Sequence, residues 1–397
     1  MAMTLAGIIF GVGFFVVTQA QTSGFETFFT KTILGVNGAL RVQDKLQDTF
    51  QSLVAEGGDN SSGFKVKVTE GKKYIAGVQF PRELTVALQR FNEVRGVSEV
   101  IRGTALLRGN FREIDCRPYG INLENHIRVS NLESQVTVGT IKSFRENPYG
   151  LLIGSRLASK ANLAPGDPII LESSGKTMRF RISAIYETGI DQIDKVRVFI
   201  HLPAARSLMQ KPFGASFLQV NLVDPFRAEA LADHMTVILR HHVASWQERE
   251  RSWLEVFRAL KISSGITVSI IIFISGLGMF STLAITVMEK KRDIAILRSI
   301  GYSKNDISQI FLLQGVVVLT LGVILGWIFA IVSTYTLTKL PIRIRGIFST
   351  DSFVVEWSIW HYIIAAAIAS VMVLIASYFP AKNAAKVEPA NIIRGTG

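Results

Sequence analysis

The chain has 397 residues, 48% of them hydrophobic and only 19% charged, with a mean hydropathy of +0.32 and a formal net charge of +12. The apolar excess sits at the two ends around a polar middle, so the basic balance is assigned to loops facing the cytoplasm, and without a nucleic-acid motif or an aromatic-rich basic platform a nucleic-acid partner is set aside. A single cysteine, Cys116, excludes an intramolecular disulfide and a cysteine metal cluster.

Met1 to Phe25 is the first uncharged run, long enough for the ~20 residues a spanning helix needs. It lacks a basic start, and Val17-Thr18-Gln19-Ala20 is a poor cleavage site, so it reads as a retained anchor, not a signal peptide. Gly7 and Gly11 have the small-xxx-small spacing that lets helices approach closely. A helix through Phe28, Ile33 and Leu40 is expected next. Phe64 to Val68 alternates as a strand, Pro81 opens a helix with Leu84, Leu88 and Phe91 on one face, and Val97 to Leu107 is extended.

The region from about Phe111 to Leu208 is rich in strands. Met178, Phe180, Ile182, Ala184 and Tyr186 alternate along one of them, and Leu163 to Asp167 makes a turn into another. Gly175-Lys176-Thr177 resembles the end of a phosphate loop, but Ile170 stands where that motif needs glycine and a strand follows where it needs a helix. A hairpin turn is predicted there. Asp191 and Asp194 are read as turn formers in a polar loop. Ser216 to Val223 alternates, Asp224-Pro225 starts a helix running to about His241, and a strand lies near Val243. The adjacent His241 and His242 diverge on that helix, unlike a metal pair. The fold expected for 26–258 is therefore an α/β domain: a split βαβ subdomain (26–110 and 209–258) with an inserted β-rich subdomain (111–208). Trp246 to Leu260 leads onward with Trp253, Val256, Phe257 and Leu260 in one apolar stripe, a stalk able to transmit movement or an interfacial helix.

Three further spans follow, at 259–288, 307–338 and 357–381, giving a membrane α-helical architecture of four spans. Glu289-Lys290-Lys291-Arg292-Asp293 cannot lie in lipid, where each charge costs ~3 kcal/mol. With Arg298 and Lys304 it makes 289–306 a cytoplasmic segment. The tail 382–397, carrying Lys382, Lys386 and Arg394, is cytoplasmic too, as is the N-terminus. The mixed-charge loop 339–356 (Arg343, Arg345, Asp351, Glu356) and the polar domain then lie outside. Gly276, Gly322 and Gly326 are further helix-packing candidates, within one subunit or against a second. No span carries an ionisable group near its centre, which argues against a secondary transporter. No nucleophilic triad is indicated, so no catalytic residue, metal or bound cofactor is assigned.

The stretch Val287 to Gly301 is read as a short helix with Ile294, Leu297 and Arg298 at helical spacing, closed by Gly301. Its charged frame and apolar teeth suit a helix-in-groove contact, or a helix lying on anionic lipid. This stretch, together with Ile310 to Gly315 and Phe379 to Ala390, resembles the type VII ABC permeases, the MacB/FtsX-like family. Leu152-Ile153-Gly154, Leu163 to Asp167 and Gly189 to Asp194 bring it closest to the lipoprotein-releasing LolC/LolE type. The resemblance implies a cytoplasmic ABC ATPase dimer holding the ATP and magnesium, a second permease subunit, the same or homologous, and possible docking of a periplasmic lipoprotein carrier or adaptor. It implies ATPase coupling through Glu289, Lys290, Lys291, Arg292, Asp293, Ile294, Leu297 and Arg298, and an inner-membrane location. It also implies lipid or substrate contacts at Phe14, Phe15, Val17, Ile271, Ile274 and Phe280. Export of a peptide, toxin or small molecule with an adaptor, and a scaffold for a cell-wall hydrolase, are the other activities within its reach. Two departures stand out. The family's basic segment before the first span is missing from this sequence, through truncation or loss of that contact, and the hairpin at Glu172 to Arg179 is shorter than the hook of the carrier-recruiting subunit.

Overall fold

The structure is a computed structural model that describes residues 2–46, 53–54, 65–66, 74–109, 113–340 and 353–385. The chain divides into two compact units. One comprises Met1–Phe28, Ser252–Arg343 and Thr350–Gly397, the other Phe29–Arg251 and Ile344–Ser349. The chain opens with α1 (Ala2–Asn37), β1 (Leu40–Leu46), β2 (Leu53–Val54), β3 (Lys65–Val66), β4 (Tyr74–Ile75), α2 (Pro81–Leu88), β5 (Val94–Arg102), β6 (Ala105–Arg108) and β7 (Glu113–Ile121). Then come α3 (Leu123–His126), β8 (Val136–Gly139), α4 (Ile141–Glu146), β9 (Gly150–Gly154), α5 (Ser155–Ala161), β10 (Pro168–Ser173), β11 (Lys176–Tyr186), α6 (Asp191–Asp194), β12 (Arg197–His201) and α7 (Leu202–Leu208). The last elements are β13 (Phe217–Leu222), α8 (Ala228–Leu239), β14 (His241–Ser245), α9 (Trp246–Arg249), α10 (Arg251–Glu289), α11 (Lys291–Ser299), α12 (Lys304–Lys339) and α13 (Ile359–Ala385).

In the helical unit, α1, α10, α12 and α13 are each long and apolar enough to cross a membrane. They are apolar on every side, so composition alone does not fix which face packs. The packed face is marked by Ile8, Val12 and Val16 on α1, Ile272, Met279 and Leu283 on α10, Leu319 and Val323 on α12, and Ala365, Ala369 and Val373 on α13. The entry to α12 is fixed by a capping box: the Asp306 amide donates to Ser303 Oγ at 3.2 Å, and the Ser303 amide to Asp306 Oδ2 at 2.8 Å. Glu356 accepts from Thr27 Oγ1 at 2.9 Å, and its amide donates to the Ala20 carbonyl at 2.9 Å. Arg343, Arg345, Asp351, Lys386, Arg394 and the motif residues after Ala385 lie outside the described residues.

In the second unit one twelve-stranded sheet runs β12-β9-β11-β10-β6-β7-β5-β13-β1-β14, with β4 on β1 and β8 on β11. Because β12 also pairs with β7, the strands β7, β12, β9, β11, β10 and β6 close into a ring. Closure leaves those strands without open edges. Leu107, Cys116, Leu151, Ile169, Phe180 and Val198 belong to the core that packs this part of the domain. The ring takes in β6, which a boundary at 111 leaves outside, and β7 is shared with the open part of the sheet. There β13, α8 and β14 form a βαβ unit with β1 inserted between its strands, antiparallel to both.

Several local expectations need correction. The helix expected through Leu40 ends at Asn37, because Gly38 takes a left-handed φ of +64° and Leu40 begins β1. The extended stretch from Val97 to Leu107 is two strands, β5 and β6. His241 and His242 lie on β14, not on a helix; His241 is buried and His242 partly so. Asp191 and Asp194 do not sit in a solvated loop. They begin and end α6 and are buried, Asp191 paired with Arg156 at 2.8 Å and with Lys195 at 3.1 Å. Asp194 accepts from the Thr188 amide and hydroxyl, so it does shape a turn. Of the strand expected at Phe64 to Val68, only Lys65–Val66 is described, paired with β2. The turn at Gly175 is a hairpin: Ser173 pairs with Lys176, and Ser174 and Gly175 have φ of 51° and 75°, as a two-residue type I′ turn requires.

Candidate coupling surface and lipid-facing helices

The helix α11 is short and well delimited. Lys290 occupies its N-cap position without a side-chain cap bond, and its Nζ donates to Asp293 Oδ2 in the first turn at 3.0 Å. It ends in a Schellman motif: Gly301, at φ +115°, donates to the Arg298 carbonyl at 3.3 Å, and the Tyr302 amide donates to Leu297 at 3.2 Å. Glu289, Lys290, Lys291, Arg292 and Asp293 are all exposed, a charged frame around its start.

The apolar residues of α11 divide between two faces. Ile294 is buried in the core of the four-helix unit, and Leu297 packs against the same core. Arg298 donates from Nη1 to the carbonyl of Ala385 at 3.3 Å, tying α11 to the end of α13. These three residues anchor the helix. The teeth left outside are Ile296, 48% exposed, and Ile300, 73% exposed, with Met288 and Tyr302 beside them in sequence. Sequence reasoning missed Ile296 and Ile300; their spacing of four was the available signal.

The candidate lipid contacts also divide. Phe14, Ile271, Ile274 and Phe280 are exposed, whereas Val17 is partly buried and Phe15 is buried in the core. Phe10, Phe14 and Phe329 form an aromatic cluster with ring centroids 5.4 to 6.1 Å apart. Phe15 lines a cavity of about 510 Å³ with Gln19, Lys261, Phe273, His361 and Met372. At its polar end Lys261 Nζ meets Glu26 at 2.5 Å, and Gln19 Nε2 donates to the Lys261 carbonyl at 3.0 Å.

Four of the five candidate glycines lie at close approaches within this chain. A Cβ on Gly7 would stand 2.5 Å from Ser275 Oγ, and one on Gly11 2.7 Å from Ile272. On α12, a Cβ on Gly322 would meet Ile8 at 2.7 Å, and on Gly326 Val12 at 2.9 Å. Thus α1 nests against both α10 and α12. Gly276 has only an ordinary contact with Met372, at 3.6 Å. Gly13, against Phe329, and Gly315, against Ser377, belong to the same set of approaches.

Comparison with known proteins covers most of the chain. A model described as "MacB-like periplasmic core domain" matches residues 1–238, and one described as "FtsX-like permease C-terminal" matches residues 265–389. The lipoprotein-releasing system transmembrane protein LolC of Xylella fastidiosa strain Temecula1 is 26% identical over 323 residues, 76% of this chain and 78% of that protein. LolE of Haemophilus influenzae is 24% identical over 339 residues, 79% of this chain and 80% of that protein. Among solved structures, the periplasmic region of MacB from Actinobacillus actinomycetemcomitans aligns with a TM-score of 0.36 at 12% identity, covering 55% of this chain and 94% of that one.

Proposed function

The chain belongs to the MacB/FtsX-like family of type VII ABC transporter permeases, and on that footing we propose that it releases lipoproteins from the outer leaflet of the inner membrane. The observation that carries the reading is α11, whose exposed Ile296 and Ile300 stand within a charged frame while Ile294 holds the helix to the four-helix core. Such a helix suits a groove on a partner protein. The partner is a cytoplasmic ABC ATPase dimer that binds the ATP and magnesium. ATP-driven closure of that dimer is received at α11 and passed along α10, which runs without a break from Arg251 to Glu289. The similarity to LolC and LolE supports lipoprotein as cargo and a second permease subunit as companion.

In this reading the termini and α11 are cytoplasmic and the sheet domain is periplasmic. The two-residue turn between β10 and β11 leaves no long protrusion there, which favours carrier docking on the companion subunit. Phe14, Ile271, Ile274 and Phe280 offer apolar surface to acyl chains.

The test is release of radiolabelled lipoprotein from proteoliposomes containing this chain, its companion permease and the cognate ATPase. ATP-dependent release is expected with the full set and none without this chain. Release of equal extent when this chain is omitted would refute the assignment.

A further inference from the structure

On one face of the large sheet, four arginines gather near two carboxylates, Glu250 and the half-exposed Glu248, so the cations outnumber the carboxylates. Arg41 comes from β1, Arg102 from the end of β5, Arg197 from β12 and Arg249 from α9, with Glu250 directly after it. The register makes this a row. Arg41 lies beside Gln219 on β13, Phe217 beside Val100 on β5, and Tyr119 of β7 beside both Arg102 and Phe199. Aromatic faces hold the cations: Arg41 stands 4.4 Å and Arg102 5.8 Å from the Phe217 ring centre, and Arg197 4.3 Å from that of Tyr119.

The charges do not balance, and donors are left over. Arg197, 7% exposed, donates to Asn37 Oδ1 at 3.0 Å, and Arg249 Nη2 donates to the Gly38 carbonyl at 2.9 Å. Yet Nε and Nη1 of Arg249 and Nε of Arg41 are buried with no hydrogen-bond partner among the described residues. Buried donors without an acceptor are costly, and buried cations without a counter-charge more so.

The titrating groups around the cluster register the same excess. Burial and then the neighbouring Arg41 push Arg249 down to about 9. Burial pushes the Tyr119 phenol up, but Arg197, Arg41 and Arg102 outweigh it and leave it below its ordinary value. An oxyanion would supply what is missing: several acceptor oxygens and negative charge, presented to forked, planar donors.

We propose that Arg41, Arg197 and Arg249 form a binding site for a phosphate-class oxyanion, either the phosphodiester of a lipid headgroup or free phosphate. The site bridges Asn37, the last residue of α1, and Arg249, which nearly adjoins the start of α10. An anion there would hold together the two segments that lead into those helices. The proposal is independent of the cargo and stands whether or not lipoprotein is released.

The full chain is tested in two arms. In lipid-stripped detergent, its thermal midpoint is followed against inorganic phosphate, with chloride at matched ionic strength. In nanodiscs, phosphatidylglycerol is compared with a phosphate-free galactolipid. A rise of roughly 3 °C or more is expected in at least one arm. A rise with phosphate alone assigns a free anion, and a rise only with phosphatidylglycerol assigns a headgroup. Arg249→Gln should abolish the rise, Arg249→Lys should weaken it by losing the fork, and Arg179→Gln, an exposed site on β11, should leave it intact. No rise in either arm overturns the proposal. So does an equal rise in Arg249→Gln, which would be general salt stabilisation. Should the Arg249 variants fail to fold, phosphorus NMR of the wild type decides: saturable broadening of the phosphate or headgroup signal is expected, and its absence refutes the site.

Discussion

His126 shows how one residue can set a pH response. It is 1% exposed, its Nδ1 lies 3.2 Å from Ser98 Oγ, and its ring lies 5.5 Å from that of Phe199. Burial, and then the charge of Arg197, pushes its pKa down to about 3. The unfolded chain therefore takes up a proton below its ordinary value of 6.5 that the folded chain refuses. Stability from this group is complete above that value and falls as the pH drops toward 3, by about 2 kcal/mol at about pH 5. Asp194 acts in the opposite sense. Burial raises it to about 6, so its favourable contribution is present below 3.8 and lost as the pH rises through 6. Comparing variant and wild type at the same pH cancels the Asp194 effect. The stability advantage of wild type over His126→Gln, taken at each pH on the full chain, is therefore expected to shrink from mildly alkaline buffer to about pH 5; an advantage of equal size at both pH values would exclude His126 as a source of the pH response. Nothing in the sequence marked this residue, because its burial depends on β5, β12 and α3 meeting in space. Gly154, by contrast, was visible as a motif residue but without its reason: a Cβ there would lie within van der Waals overlap of the Asp194 carbonyl, where β9 passes α6.

Among the elements, α11 divides what a sequence can say from what it cannot. The charged start, the apolar spacing and Gly301 were enough to delimit the helix. They could not decide which apolar face turns inward, since Ile294, Ile296, Leu297 and Ile300 spread over more than one face of so short a helix. The bundle resolves this by taking Ile294 and Leu297 and leaving Ile296 and Ile300 outside. The two kinds of residue should therefore respond differently. Ile296→Asp and Ile300→Asp should reduce stimulation of the partner ATPase about tenfold, the loss of roughly 1.4 kcal/mol of apolar contact, with the unfolding midpoint unchanged. Leu297→Ala should instead lower stability by about 1–2 kcal/mol, less than a fully buried leucine would cost. Loss of stimulation in Leu297→Ala at unchanged stability, with Ile296→Asp and Ile300→Asp normal, would put the contact on the inward face and count against the assignment made here.

At the scale of the whole molecule, the four long helices were legible because lipid demands long apolar runs, and that demand is local in sequence. The closure of six strands into a ring was not. It depends on β12 pairing with both β7 and β9, a long-range arrangement that alternating patterns do not encode. Whether α11 and the sheet lie on opposite sides of the membrane decides whether force received at α11 has to cross the bilayer to reach the sheet. The chain carries its own tool for asking. Its single cysteine, Cys116 on β7, is 2% exposed, and burial, followed by the charge of Asp115, pushes its thiol up to about 12. A thiolate is the reactive form, so the native cysteine should stay silent to maleimide in the folded protein. A new thiol then reports alone, without removal of the old one. Lys142→Cys, on the exposed surface of α4, is expected to react with an impermeant maleimide added to spheroplasts. Lys291→Cys, in the charged frame of α11, should react only after the membrane is opened, since cationic loops are retained on the cytoplasmic side. Equal labelling of both from outside would place the frame and the sheet on one side, and α10 would then carry nothing across the bilayer.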